Sequence, residues 1–200
     1  MIYEELYTFD EDMRNKYGVI CGVDEAGRGP LAGPVSCAAV ILDSNERYDW
    51  LTDSKKVSEA RREALYDKIV ATAKTYSVVL IDNETIDEIN ILEAAMLGMK
   101  RAIEALEIKP DAALVDGNAA PKTDISCLTV IKGDSKSASI AAASILAKVT
   151  RDRFMRGLDE EFPQYGFAKH KGYPTKAHYE AIDKYGITAY HRRSFLKGRV

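Results

Sequence analysis

Short apolar runs, broken by acids, glycines and prolines, recur through the chain and restrict it to an α/β architecture. Residues 17–23 and 34–42 are rich in Val, Ile, Ala and Cys, and a glycine- and proline-rich turn joins them, so they read as neighbouring strands. Residues 76–81, 112–115 and 128–131 repeat the pattern. Helical signals lie between and after them: a charged stretch at 58–73 with Ser58 as N-cap, a short turn at 85–90, and a longer helix at 91–106 that stops before Lys109-Pro110. After Asp134, Ala138, Ala141, Ala142, Ile145 and Val149 keep to one face of a 3.6-residue period, and a last helix is predicted over 175–185. Strands interleaved with helices predict a mixed sheet flanked by helices.

At 200 residues and 46% hydrophobic composition, the chain has enough apolar material for one core. No apolar run approaches the roughly 18 residues of a membrane span, and charges run through the first twenty positions, so neither a span nor a signal peptide is expected. Cys21, Cys37 and Cys127 are odd in number, far apart and flanked by apolar neighbours; they read as buried thiols, and the expectation is a cytoplasmic chain. No heptad marks a subunit interface, so a monomer is expected.

The net charge of −3 hides an asymmetry. Residues 164–200 carry eight Lys and Arg against Glu180 and Asp183, or +6, which leaves −9 on the rest. We therefore expect residues 1–163 to form the main domain and 164–200 a basic segment packed on it, suited either to a polyanion or merely to solvent. Within it, Lys169, Lys171 and Lys176 alternate with Tyr165, Phe167, Tyr173 and Tyr179, a mixture expected in a duplex groove more than in a core. His170, His178 and His191 lack metal-ligand spacing and read as solvated or core residues.

Asp24, Glu25, Asp116 and Asp134 each close or follow a short apolar run, where the ligand crevices of open α/β sheets lie. Acids gathered there repel unless a cation sits among them, and hard oxygen donors suit Mg²⁺ or Mn²⁺. Taken singly, Asp134 reads equally as a helix cap, Asp116-Gly117 as a turn, and Asp24-Glu25 as a solvated strand end. Gly27-Arg28-Gly29 leaves main chain open to an oxyanion or a sugar hydroxyl, or serves only as a tight turn; Gly27, Gly29 and Gly33 fit neither the Walker nor the dinucleotide spacing.

The blocks VDEAGRGPLAGPV, TDSKKVS, NILEAAMLGM, LVDGN, KGDSKSASIAAASILAKVTRD, HKGYPT and HRRSF follow one another in this order. Together they resemble the prokaryotic type 2 ribonucleases H, the ribonuclease HII family, from about residue 18 to residue 195. The resemblance implies a ribonuclease H-like fold, a five-stranded mixed sheet flanked by helices with a helical C-terminal portion. It implies cleavage of RNA in RNA/DNA hybrids and of single ribonucleotides embedded in duplex DNA, leaving a 3′-hydroxyl and a 5′-phosphate. By similarity Asp24, Glu25, Asp116 and Asp134 hold two divalent ions, Mn²⁺ or Mg²⁺. The main chain of Gly27-Arg28-Gly29 and the hydroxyl of Tyr173 would sense the ribose 2′-hydroxyl, with the Tyr173 ring on the neighbouring sugar.

Ser144, Lys148 and Arg151 recur at i, i+4 and i+7, so one helix face is expected to offer a hydroxyl and two cations to phosphates, or else to be an ordinary solvated stripe. Ser54, Lys55 and Lys56 are similar donors or only a polar loop. The sequence runs five residues past Phe195, short of the tail that some relatives use on a sliding clamp, so a clamp partner stays open. A nucleic-acid- or nucleotide-binding module and a phosphotransferase are the rival functions. All of this requires the four acids to converge in space.

Overall fold

The computed structural model describes residues 1–196 and 198; Lys197 and Arg199, counted above in the basic segment, lie outside the described residues. Its elements in order are α1 (Glu4–Tyr17), β1 (Ile20–Ala26), β2 (Val35–Ile41), α2 (Glu59–Thr72), β3 (Thr75–Ile81), α3 (Asn83–Ile89), α4 (Ile91–Glu104), β4 (Ala112–Asp116), β5 (Ser126–Val130), α5 (Ala138–Glu161), α6 (Phe167–His170) and α7 (Lys176–Tyr185). The sheet runs β3-β2-β1-β4-β5, antiparallel from β3 to β1 and parallel from β1 to β5. Five strands in a mixed sheet with flanking helices match the expected fold class. No described helix is long and apolar enough to cross a membrane.

All seven residues of β2 are buried because both faces of the sheet are covered. Ala38 and Val40 face a core with α2, α5 and Tyr7 of α1, while Cys37, Ala39 and Ile41 face α3 and α4. α5 packs so tightly on β1 that a Cβ on Gly22 would fall 2.0 Å from the Ser139 carbonyl carbon, so only glycine allows this approach.

α1 has no counterpart among the sequence expectations, which begin the first strand at Tyr17; half of its residues are charged and only Leu6, Tyr7 and Asp10 are buried. Asp10 nevertheless orders the entry to α5. It accepts the Ser137 hydroxyl at 2.5 Å and the Ser139 amide and hydroxyl at 2.8 and 2.7 Å. Ser137, rather than Asp134, caps α5 by accepting the Ile140 amide. Ser58 occupies the predicted cap of α2 but makes no side-chain cap bond.

α5 is 24 residues long and continues well past its alanine-rich start, and its far half builds a second core with the C-terminal helices: Met155, Leu158, Tyr165, Phe167, Ala181 and Ile182 close over Leu31 and Ala32. Tyr165 and Phe167, expected in a duplex groove, are thus core residues stacked at 5.3 Å. His178 and His191 are also core residues, with Nε2 atoms 3.1 Å apart.

Candidate active site

The parallel register of β1 and β4 pairs Val23 with Val115, so the next positions, Asp24 within β1 and Asp116 at the end of β4, lie side by side where the two central strands part. Asp134 arrives from the next strand on a 3₁₀ turn, Gly133–Ser135. The Gly133 amide donates to Asp116 Oδ1 at 2.6 Å, which ties the turn to the strand end. Asp24, Glu25, Asp116 and Asp134 therefore line one cleft of about 490 Å³, together with Gly27, Arg28, Gly29, Ser54, Lys55, Ser144, Lys148 and Tyr173. The requirement that the acids converge is met.

Their electrostatics are costly. Burial, then the charges of Glu25 and Asp116, push the Asp24 carboxyl well above the usual carboxylate range, against the stabilising Ser144 hydroxyl and Glu25 amide. Glu25 is also raised by burial; Arg28, with Nη1 3.6 Å from Oε1, opposes the shift and Asp116 adds to it. Asp134 is raised by burial, by Asp53 and by Asp116, with Lys55 opposing. Asp53 is a fifth acid that sequence reasoning misses, although it directly precedes Ser54-Lys55; it also caps their 3₁₀ turn by accepting the Lys55 amide at 3.0 Å.

Along the cleft wall four acids thus face three bases, Arg28, Lys55 and Lys148, and Lys148 is already paired to Asp152 at 2.7 Å. A phosphodiester brought here would add negative charge to a surplus of it, so the donor set fits hard divalent cations. Among the described residues no three His, Cys, Asp or Glu side chains form a preformed cage. An open set of carboxylates suits an ion such as Mg²⁺, which keeps several waters and takes phosphate oxygens as ligands.

The expected phosphate donors divide. Ser144 shares a hydrogen bond with Ser54 at 3.0 Å beneath the cleft, and Lys55 and Lys148 line it. Lys56 holds its ammonium 3.9 Å from Asp53 and does not line the cleft. Arg151 departs from the exposed stripe expected of it: it is 1% exposed, and its guanidinium donates to the carbonyls of Pro34, Lys171 and Ala32 at 2.9, 2.9 and 3.1 Å. Helical spacing puts it on the same face as Ser144, but the β1–β2 loop and the 171–173 turn lie over that end of α5. Burial lowers its pKa to about 10.

Gly27 is held at φ +100°, and a Cβ there would lie 2.1 Å from Arg151 Nε. Gly29 differs: the nearest neighbour to an added Cβ is the Tyr173 ring at an ordinary 3.6 Å. Tyr173 is 41% exposed and lies with its ring centroid 5.9 Å from the Arg151 guanidinium carbon. Its carbonyl is fixed by a chain of neutral imidazoles. Thr188 N–H donates to His191 Nδ1 at 2.9 Å, so His191 Nε2–H faces His178 Nε2 and His178 Nδ1–H reaches the Tyr173 carbonyl at 3.0 Å.

A family profile described as Ribonuclease HII matches residues 21–198. The chain is 55% identical over 179 residues to a Ribonuclease HII of Aliivibrio salmonicida, covering 90% of this chain and 86% of that one. Among solved structures it resembles the ribonuclease H2 of Pyrococcus horikoshii, with TM-score 0.72 and 28% identity over 90% of this chain and 99% of the other. It also resembles the PCNA:RNase HII complex of Archaeoglobus fulgidus, with TM-score 0.72 and 29% identity over 87% and 93% of the two chains.

Proposed function

Because the chain belongs to the ribonuclease HII family, endoribonucleases that act on RNA/DNA hybrids, we propose that it also incises DNA duplexes at single embedded ribonucleotides. We assign the chemistry to Asp24, Glu25, Asp116 and Asp134 acting with two divalent ions, Mn²⁺ or Mg²⁺. The observation that carries the reading is one cleft in which four acids from β1, β4 and the turn after β5 adjoin the bare main chain of Gly27–Gly29 and the exposed Tyr173. Bound ions would lower the pKa of a water nucleophile and offset charge on the phosphate.

The protein groups have separate tasks. Asp24 and Asp116, fixed on adjacent central strands, form the rigid side of the ion site, and Glu25 from the next position of β1 and Asp134 from the turn after β5 complete it. Lys55 and Lys148 border the path of the strand and attract its phosphates. Glycines at 27 and 29 let backbone amides reach a 2′-hydroxyl, and Tyr173, whose ring lies beside Gly29, offers its hydroxyl to the same group. Attack by water in line with the leaving 3′ oxygen of the preceding nucleotide yields the 3′-hydroxyl and 5′-phosphate. The segment after Gly166 supplies Tyr173 and the basic rim, so we read residues 164–200 as a substrate-binding part built onto the main domain. The described basic residues Lys169 and Lys176 there would meet the duplex backbone. One chain carries every group named here, so we take the acting unit to be a monomer.

A labelled duplex with one internal ribonucleotide tests this. Cutting 5′ of the ribonucleotide with Mn²⁺ or Mg²⁺, none with EDTA, and none by Asp116→Asn despite retained duplex binding are the expected results. Full activity of Asp116→Asn would remove the assigned role of the acids.

A further inference from the structure

We propose that Arg192 is a positioning residue for ribose recognition: its buried guanidinium grips the carbonyls of the Gly27–Gly33 loop and thereby aims two consecutive loop amides away from the protein interior. The proposal rests on the ribose-sensing reading of that loop.

Arg192 is 0% exposed, and no described carboxylate lies within ion-pair distance of it. A buried, unpaired guanidinium is expensive unless every donor finds an acceptor. Here Nη2 donates to Gly27 O at 2.7 Å, Nη1 to Arg28 O at 3.0 Å, and Nε to Gly33 O at 2.9 Å. Among the described residues all peptide bonds are trans. In a planar trans peptide the N–H points opposite to the preceding carbonyl. Fixing the carbonyls of Gly27 and Arg28 inward therefore fixes the amides of Arg28 and Gly29 outward, at residues that are exposed and border the cleft. Neither amide donates to another described residue, so two aligned donors stand ready for an incoming oxygen.

The grip is itself held from elsewhere in the chain. Arg192 N–H donates to Leu31 O at 2.8 Å, Gly33 N–H to Tyr190 O at 2.9 Å, and Ala32 bridges His191. The other side of the loop is fastened by Leu31 N–H to Gly172 O at 2.8 Å, one residue before Tyr173. From α3, Asp87 accepts the amides of Arg193 and Ser194 at 2.8 and 3.0 Å, and Asn83 donates to the Ala189 carbonyl at 2.8 Å. A planar fork that meets three carbonyls in fixed directions cannot be replaced by a lysine, which brings the same charge to a single point.

The test uses the full chain and two variants, Arg192→Lys and, as a milder change that spares the fork, Asp87→Asn. Two quantities are read: backbone ¹⁵N order parameters, and the ratio of cleavage rates on a single embedded ribonucleotide and on a continuous RNA/DNA hybrid. In Arg192→Lys the order parameters of residues 27–29 should fall from the rigid range near 0.85 to below about 0.6 while β1 stays rigid, and the rate ratio should drop at least tenfold. Asp87→Asn should move both quantities the same way by a smaller factor, and it decides the matter alone if Arg192→Lys does not fold. A loop that stays rigid overturns the proposal. So does a loosened loop with an unchanged ratio, which would make Arg192 a fastener of the fold only. If wild-type protein cuts hybrid but not the single ribonucleotide, the proposed function fails on its own account, and the order parameters alone then decide whether Arg192 positions the loop.

Discussion

Replacing Gly27 by alanine should unfold much of what holds the cleft together, whereas the same change at Gly29 should not. At Gly27 the backbone has φ +100°, and the new Cβ would sit 2.1 Å from Arg151 Nε and 2.4 Å from Cδ. The positive φ alone costs an L-residue about 1–2 kcal/mol. To make room the Arg151 guanidinium must shift from three buried carbonyls at 2.9, 2.9 and 3.1 Å, and each hydrogen bond to a charged group contributes about 1.5–3 kcal/mol. Loss of one of the three, with the backbone strain, gives about 2.5–5 kcal/mol, a large share of the roughly 5–15 kcal/mol that holds an ordinary domain together. At Gly29 φ is not positive and the nearest contact is an ordinary 3.6 Å, so alanine should cost under about 1 kcal/mol. Urea unfolding in EDTA compares the two variants with the parent at equal m-value. A Gly27→Ala midpoint equal to that of the parent, or a Gly29→Ala midpoint as low as that of Gly27→Ala, would refute the argument.

Three further outcomes are expected. Asp24→Asn should raise stability in EDTA near pH 7.5: burial and two neighbouring acids hold the folded carboxyl above its unfolded value, so stability present in acid is lost as pH rises through the folded pKa, each tenfold difference in proton affinity between the two states being worth about 1.4 kcal/mol. The gain should vanish near pH 4, and a destabilised Asn variant at pH 7.5 would show that the repulsion is absent. Acid should loosen the C-terminal helices: burial lowers His178 and His191 to about 4, so stability present above the unfolded value near 6.5 is lost as pH falls from there through about 4, on the order of 3 kcal/mol for the first ring to titrate. Near-ultraviolet circular dichroism of the stacked Tyr165 region follows this, and His178→Phe should flatten the pH dependence if the rings are its cause. Tyr173→Ala should slow incision at a single ribonucleotide tenfold or more, on the order of 1.4 kcal/mol, and unchanged single-turnover rates would take Tyr173 out of the recognition set.

The acids at 24, 116 and 134 and the five strands were legible because a strand carries its own signature: an apolar run, a closing acid and a glycine are all local features. β4 and β5 are short and still announced themselves. α1 was not legible, because a helix that buries only three side chains needs little apolar patterning and half of this one is charged, and its value lies in one contact, Asp10 at the mouth of α5, made across more than a hundred residues. Asp53 escaped notice for a similar reason: nothing local separates an acid that faces Asp134 from one that caps its own turn, and this one does both.

Arg151 and Arg192 mark the boundary between the two kinds of information. The strands, the acids at their ends, the glycine turn and a tyrosine in a basic segment can all be read along the chain, since each follows from the chemistry of residues close together in it. That two arginines among many turn inward, to hold backbone carbonyls around the glycine turn, is a product of the folded arrangement alone. A long side chain can end in water or in a cage of carbonyls with equal local propensity; the choice depends on which distant loop is laid over it, and in this protein that loop is the one bordering the acids.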